Sequence, residues 1–198
     1  MTNLEFLRKH ARPGRVGLFG GSSAVDRAIR KAQSLIDEEG SRSAWSHAAI
    51  FEGERVDGRA WLIESDFEIG RRNLRSGVQE SRLEKYADEK AWPNLAVLDF
   101  GLDADQVRKA LAAGLDLLAA ATPYALGGLV RTGVAMLRKR LDRAKADGTT
   151  YCSAFVRSAY LAAGLDLVPV VAVPNTAPEH LSRTALPHRR WERIEDPG

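Results

Sequence analysis

Two short apolar segments on either side of a turn-rich loop limit the folds open to this chain. The segments are residues 47–51 (HAAIF) and 60–65 (AWLIES), and GERVDG lies between them. Two such runs around a glycine-containing loop are typical of a β-hairpin. If the loop is centred between Arg55 and Val56, His47 stands directly opposite Glu64. Their Cβ atoms would then be about 4.5–5.5 Å apart on one face of the sheet.

The remaining patterns predict an α+β fold with an antiparallel sheet. Because the predicted strands and helices do not alternate regularly, a doubly wound parallel sheet is disfavoured. A length of 198 residues is typical of one domain, which we place over residues 1–198. Further strands are predicted at residues 15–20, 95–100 and 168–173. One helix is predicted from Ser22 or Ser23 to about Glu39, and a second begins at Asp103. A third, basic helix follows residues 122–128 and ends at about Ala146, and two more are predicted over 153–164 and around 179–182.

Charge and hydropathy exclude several classes of protein. The net charge is +3, and the densest basic run, residues 138–145, is interrupted by Asp142 on a helical pattern. This pattern is typical of a solvated helix face, so we expect no nucleic-acid partner and at most a weak contact with an anionic surface. No segment is long and apolar enough to span a bilayer, and the N-terminus lacks a signal-peptide core. We therefore expect a cytoplasmic protein or, alternatively, one exported by a signal-independent secretion system.

The chemistry centres on the chain's one cysteine, Cys152, which excludes an intramolecular disulfide. Cys152 falls in the first turn of a predicted helix, where the positive end of the helix dipole stabilises a thiolate. A cysteine nucleophile needs a base and a group that orients the base, and His47 and Glu64 supply these roles. An inert core thiol remains an alternative. A redox sensor is disfavoured because there is no second cysteine to resolve a sulfenic acid.

The other histidines leave the choice of base open and argue against a metal site. His180 and His188 lie in the C-terminal tail, where either could replace His47 as the base, and His10 lies in a polar leader. Four widely spaced histidines and one cysteine do not form a zinc-binding pattern. We therefore expect neither a metal nor an organic cofactor.

Several motifs resemble the NlpC-type papain-fold amidases. They are TPYALGG at 122–128, YCSAFV at 151–156, and an alanine-glycine pair that ends the same helix. The histidine of SHAAI precedes the cysteine here, and LIES at 62–65 follows that histidine. This order is similar to the circularly permuted branch of the family, which includes relatives of lecithin retinol acyltransferase. The tail PNTAPEHL is similar to the segment that follows the cysteine helix in that branch.

The resemblance implies a permuted papain-like fold, in which an antiparallel sheet packs against the helix that carries the nucleophile. It implies Cys152 as nucleophile, His47 as base and Glu64 as orienting group. Tyr124 matches the family tyrosine beside the nucleophile, and we add Trp45 and Tyr151 as candidate substrate-binding residues. The implied activity is hydrolysis of an amide bond in a peptidoglycan stem peptide or a related small acyl-amide. The alternatives are an acyltransferase or thioesterase on lipid-like substrates, and a non-catalytic module that binds a peptide or acyl chain.

Overall fold

One six-stranded sheet organises the part of the chain that the computed structural model describes, residues 1–34, 36, 43–66, 77–121 and 151–196. The strands are β1 Val16–Gly20, β2 His47–Glu54, β3 Ala60–Asp66, β4 Gly77–Arg82, β5 Asn94–Asp99 and β6 Arg189–Ile194. The α-helices are α1 Asn3–His10, α2 Ala24–Gln33, α3 Ala104–Ala119, α4 Cys152–Ala162 and α5 Pro178–Ser182. Two 3-10 helices cover Leu83–Tyr86 and Val173–Asn175.

The sheet is antiparallel throughout, which confirms the predicted α+β class with an antiparallel sheet. Its strand order is β4-β3-β2-β1-β5-β6, and each neighbouring pair runs in opposite directions. The predicted hairpin is the β2–β3 pair, and it lies beside the central strand β1. Within the described ranges, no helix is both long and apolar enough to cross a membrane.

Both faces of the sheet are covered, and for this reason β1 is buried at each of its residues. On the first face, Leu18 and Ile50 pack against α4 through residues such as Phe155. On the second face, Phe19 and Phe51 join a separate cluster with α1 and the 3-10 helix Leu83–Tyr86. Because side chains alternate along a strand, the odd-numbered positions at the start of β2 face this second cluster. His47 is one of them.

Some sequence predictions of secondary structure were wrong or incomplete. The strand predicted at 168–173 does not form, because Pro169 and Pro174 lack the N–H groups that a strand would donate. Helix α1 and the polar edge strands β4 and β6 were not predicted. Helix α2 ends at Gln33, earlier than the predicted Glu39, because the Ser34 N–H donates to the Lys31 carbonyl three residues back and the chain turns there. The predicted segment 122–128, the basic helix that follows it and the linker 147–150 lie outside the described residues.

The close approach of Gly20 to the chain segment before β2 yields a stability prediction. A Cβ atom at Gly20 would lie 2.0 Å from the Ala44 carbonyl oxygen and 2.9 Å from Asn94 Cβ. We expect Gly20→Ala to cost about 2–3 kcal/mol of unfolding free energy, because backbone would have to move. Urea denaturation measures this loss. The control is Gly58→Ala, where φ is +72° but no heavy atom lies within 4 Å. Equal losses in the two variants would contradict the steric explanation.

Candidate active site

The β2–β3 hairpin brings His47 and Glu64 together, although the predicted register was wrong. Ala49, not His47, stands opposite Glu64, and the register shifts between Phe51 and Gly53. The displacement is two residues, and an even shift leaves both side chains on the same face of the sheet. His47 and Glu64 are therefore diagonal neighbours, and His47 Nε2 lies 2.8 Å from Glu64 Oε2.

The start of β2 is held firmly against β1, and this fixes the backbone of His47. The Ser46 N–H donates to the Phe19 carbonyl at 2.8 Å. The Ser46 hydroxyl oxygen accepts the Gly21 N–H at 2.9 Å. The ring of Phe19 then stacks on that of Tyr86 with a centroid separation of 3.7 Å. The His47 ring lies beside both of these rings, with centroid separations of 6.1 Å from Phe19 and 6.3 Å from Tyr86, so neighbours hold its ring as well as its backbone.

Glu64 is fully buried and is surrounded by hydrogen-bond donors. Oε2 accepts from His47 and from the Tyr86 hydroxyl, and Oε1 accepts from Ser81 and Lys85 at 2.5 Å each and from Gln79 at 3.5 Å. Burial alone would raise the pKa of this carboxyl, but the Lys85 ammonium and the His47 ring outweigh burial and hold it below its usual range. Glu64 is therefore an ionised carboxylate that can only accept hydrogen bonds.

The ionised state of Glu64 determines which nitrogen of His47 carries a proton. A carboxylate cannot donate, so the Nε2 that faces it must carry the hydrogen. Nδ1 is then the nitrogen available to a second group. Burial lowers the pKa of His47, but the Cys152 sulfur and the Glu64 carboxylate raise it, and the net result lies well above its usual value.

Cys152 begins helix α4, as the sequence predicted. Tyr151 is the N-cap residue, and its carbonyl accepts the Phe155 N–H at 2.9 Å. The first-turn N–H groups of a helix have no acceptor within the helix, so they are available to a negative charge. Helix α4 packs against β2, the strand that carries His47, and against β3. Cys152 is 3% exposed.

Buried polar contacts fix helix α4 to the segment that follows it. Arg157 is 3% exposed and binds the Asp166 carboxylate with two nitrogens, at 2.7 and 3.0 Å. It also donates to the Thr176 hydroxyl at 3.0 Å and to the Val171 carbonyl. Such bidentate contacts restrict both distance and orientation. Helix α4, which begins at Cys152, is therefore held in place from its second turn.

Two of the candidate substrate-binding residues, Trp45 and Tyr151, are buried and do not lie at an open surface. Trp45 is 2% exposed, and its indole N–H donates to the Ser182 hydroxyl at 2.9 Å. Tyr151 is 4% exposed. Their contact with substrate stays a prediction. Tyr124 lies outside the described residues, and so does the basic run at 138–145.

The other candidate bases have partners away from Cys152. His180 Nδ1 accepts the Ala177 N–H at 2.9 Å, and burial lowers the pKa of His180 to about 4. His188 Nδ1 lies 2.8 Å from the Leu186 carbonyl. The geometry therefore favours His47 as the base.

Sequence reasoning missed the residues that surround Glu64. Ser81 lies on a polar edge strand, and Lys85 and Tyr86 follow it in a segment whose composition suggests a solvated surface. The one available signal was Glu64 itself, because a carboxylate in an otherwise apolar strand needs partners. That signal predicts that donors exist but does not say which residues supply them.

Comparison with known proteins gives a structural likeness. No protein-family model matches the chain, and no curated protein matches it. The chain is similar to the crystal structure of the metalloprotein yiiX from Escherichia coli O157:H7 (DUF1105), with a TM-score of 0.61 and 14% identity. The alignment covers 92% of this chain and 97% of that one. At this identity the likeness shows a shared fold.

Because that neighbour is named a metalloprotein, a metal site has to be considered in this chain. Among the residues with described positions, no group of three or more histidine, cysteine, aspartate or glutamate side chains could hold a metal ion. The donors around Glu64 are an ammonium, two hydroxyls, an amide and an imidazole. An ammonium at the carboxylate opposes a nearby cation, so this cluster does not fit a metal site.

Proposed function

We propose that this protein is a cysteine-nucleophile hydrolase of amide bonds, with Cys152 as nucleophile, His47 as base and Glu64 as orienting group. The observation that carries the proposal is the buried His47 ring, whose Nε2 lies 2.8 Å from the Glu64 carboxylate and whose pKa the Cys152 sulfur raises. A base that is oriented by a third group and faces a thiol is the arrangement that nucleophilic catalysis requires. The fold we propose is the permuted papain-like one, supported by a strand-borne histidine that precedes the cysteine helix.

The proposed reaction has two stages. In the first, the Cys152 thiol gives its proton to His47, and its sulfur attacks the carbonyl carbon. The carbonyl oxygen becomes an oxyanion, which the Cys152 backbone N–H at the helix start can bind; such a donor is typically worth about 3 kcal/mol. The C–N bond then breaks as His47 protonates the leaving amine, and a thioester remains. In the second stage, His47 takes a proton from water, whose oxygen attacks the thioester. The C–S bond breaks, the acid is released, and the His47 imidazolium returns its proton to the Cys152 sulfur.

We propose a small acyl-amide substrate, of which a peptidoglycan stem peptide is the leading candidate. The support is the resemblance of the cysteine helix and the TPYALGG segment to the NlpC-type amidases. Acyl transfer to an acceptor other than water uses the same thioester and is the second candidate. Digestion of purified sacculi separates the two, because released stem-peptide fragments indicate wall hydrolysis. Capture of acyl-enzyme from short-chain esters alone indicates the lipid-like alternative.

Alkylation of the single thiol tests the proposed pair without knowledge of the substrate. We expect the rate with iodoacetamide to reach a plateau that begins below about pH 7, because an imidazolium beside the sulfur stabilises the thiolate. For an ordinary thiol the rate is half-maximal only near about pH 8.5 and continues to rise above it. The rate should be followed on the folded protein from about pH 4 to about pH 10, with mass spectrometry of the adduct at Cys152.

Two variants identify the origin of the plateau. His47→Gln should remove it, whereas His188→Gln, a change of the same kind away from the site, should leave it. Circular dichroism confirms that each variant is folded. A wild-type rate that rises only near pH 8.5 would favour a binding module with an inert thiol over an enzyme.

A further inference from the structure

Glu64 has one fully charged neighbour that the proposed mechanism does not use. Lys85 Nζ lies 2.5 Å from Glu64 Oε1 and 2.5 Å from Asp66 Oδ2, so it bridges two carboxylates. The Lys85 side chain is 19% exposed, and that of Glu64 is 0% exposed. An ammonium with this little contact with solvent is normally paired with a carboxylate. The contact lies on the side of Glu64 away from His47, since His47 binds the other oxygen.

We propose that Lys85 is a positioning residue that keeps Glu64 ionised and thereby sets the pH range in which Cys152 and His47 act as a pair. This inference rests on the proposed function and adds its electrostatic control. Lys85 acts through Glu64, and we assign it no contact with substrate.

The placement of Lys85 follows from the 3-10 helix that carries it. Leu83 and Tyr86 are buried in the second core cluster, at 1% and 0% exposure. They anchor the short helix, so Lys85 and Tyr86 both reach Glu64 from consecutive positions. A surface lysine on a mobile loop would lose side-chain entropy on pairing, but this one is held by its neighbours.

The direction of the effect follows from the charges that face Glu64. Among the described residues, the titratable groups of this cluster are His47 from β2, Asp66 from β3, Lys85 and Tyr86 from the 3-10 helix, and Cys152 from α4 beyond the ring. Removal of a cation makes each loss of a proton in the cluster less favourable. Formation of the thiolate must then shift to higher pH. Removal of an anion has the opposite effect.

The supporting pKa shifts agree with this direction. Burial lowers the pKa of Lys85, but Glu64 and Asp66 raise it above its usual value, so Lys85 stays charged across the working range. Burial and the Glu64 charge raise the pKa of Tyr86 well above its usual value, so the phenol remains a neutral donor. Lys85 is thus the permanent positive charge among the donors described around Glu64.

The experiment measures the alkylation rate of Cys152 against pH in Lys85→Met. We expect the midpoint of the acidic limb to rise by at most about one pH unit, because the lost charge acts on Cys152 from beyond Glu64 and His47. Lys85→Arg should restore the wild-type midpoint. Ser81→Ala is the matched control, because Ser81 donates to the same oxygen at the same 2.5 Å but carries no charge. It should slow the reaction without a comparable shift of the midpoint.

Asp66→Asn provides an independent test that does not leave Glu64 without its cation. It removes a negative charge from the cluster, so the midpoint should move to lower pH. Unchanged midpoints in both Lys85→Met and Asp66→Asn would overturn the inference, and if Lys85→Met does not fold, the Asp66→Asn result decides. A wild-type protein that shows no low-pH plateau overturns the proposed function itself, so the two failures are distinguishable.

Discussion

Cys152→Ala should reduce amide hydrolysis by about 10⁶-fold, the usual loss when the nucleophile of a triad is removed. The reason is chemical, because without the sulfur no thioester can form and His47 has no thiol proton to accept. The fold should persist, since Cys152 is a small residue at the first position of α4. Release of soluble fragments from purified sacculi, followed by chromatography, measures the activity, and a thermal melt checks the fold.

A neighbouring variant controls for disturbance of the helix. Ser153→Ala changes the next residue of α4 and removes a buried hydrogen bond to the Thr176 carbonyl. We expect it to lower stability while turnover stays within about tenfold of wild type, because its hydroxyl does not face the reacting groups. Turnover that survives in Cys152→Ala would show that the sulfur is not the nucleophile.

The hairpin was predictable because its signals are local, but its register was not. Gly53 adopts φ +102°, and a Cβ at that position would lie 2.7 Å from Pro13 Cγ. The irregularity in β2 therefore depends on a contact with a residue far away in the sequence. A search for turn residues between two strands cannot detect it. His47 and Glu64 are neighbours despite the wrong register, because the displacement was even, which preserves the face on which each side chain lies.

The two missed strands share a different physical cause. Strands β4 and β6 are the two edges of the sheet, where one side of the strand faces solvent and polar residues are tolerated. Their sequences consequently lack the apolar alternation that identified β2 and β3. The contact of Lys85 with Glu64 was not predicted for a related reason, because a lysine in a polar segment is normally solvated. Its role depends on the burial of Glu64 on another strand.

Glu64→Gln should lower kcat/KM by about 10³–10⁴-fold although the two side chains have the same shape. The carboxylate accepts hydrogen bonds at both oxygens, whereas an amide accepts at one end and donates at the other. One end faces the Lys85 ammonium, which can only donate, and the other faces His47. An amide that turns its oxygen to Lys85 must present its NH₂ group to His47 Nε2. That ring nitrogen must then accept, so the proton moves to Nδ1 and the base toward Cys152 is lost.

The pH profile of the same variant distinguishes this explanation from simple loss of stability. The Glu64 charge contributes to the raised pKa of His47. Without that charge the pKa of His47 falls, so the imidazolium that protonates the leaving amine is lost at lower pH. The alkaline limb of kcat/KM should therefore move to lower pH. Glu80→Gln on β4 is the control, since Glu80 pairs with Arg55 and not with the site.

A double variant tests the orientation of the amide directly. In Glu64→Gln combined with Lys85→Met, no ammonium is present to donate a hydrogen bond to the amide oxygen. The oxygen can then turn to His47 Nε2, while the NH₂ group donates to the Ser81 hydroxyl, which lies on the Oε1 side of Glu64. This orientation restores the ring tautomer with Nδ1 free, so the double variant should be more active than Glu64→Gln alone. Additive losses would instead mean that the charge of Glu64, and not its ability to accept a hydrogen bond from Nε2, determines the rate.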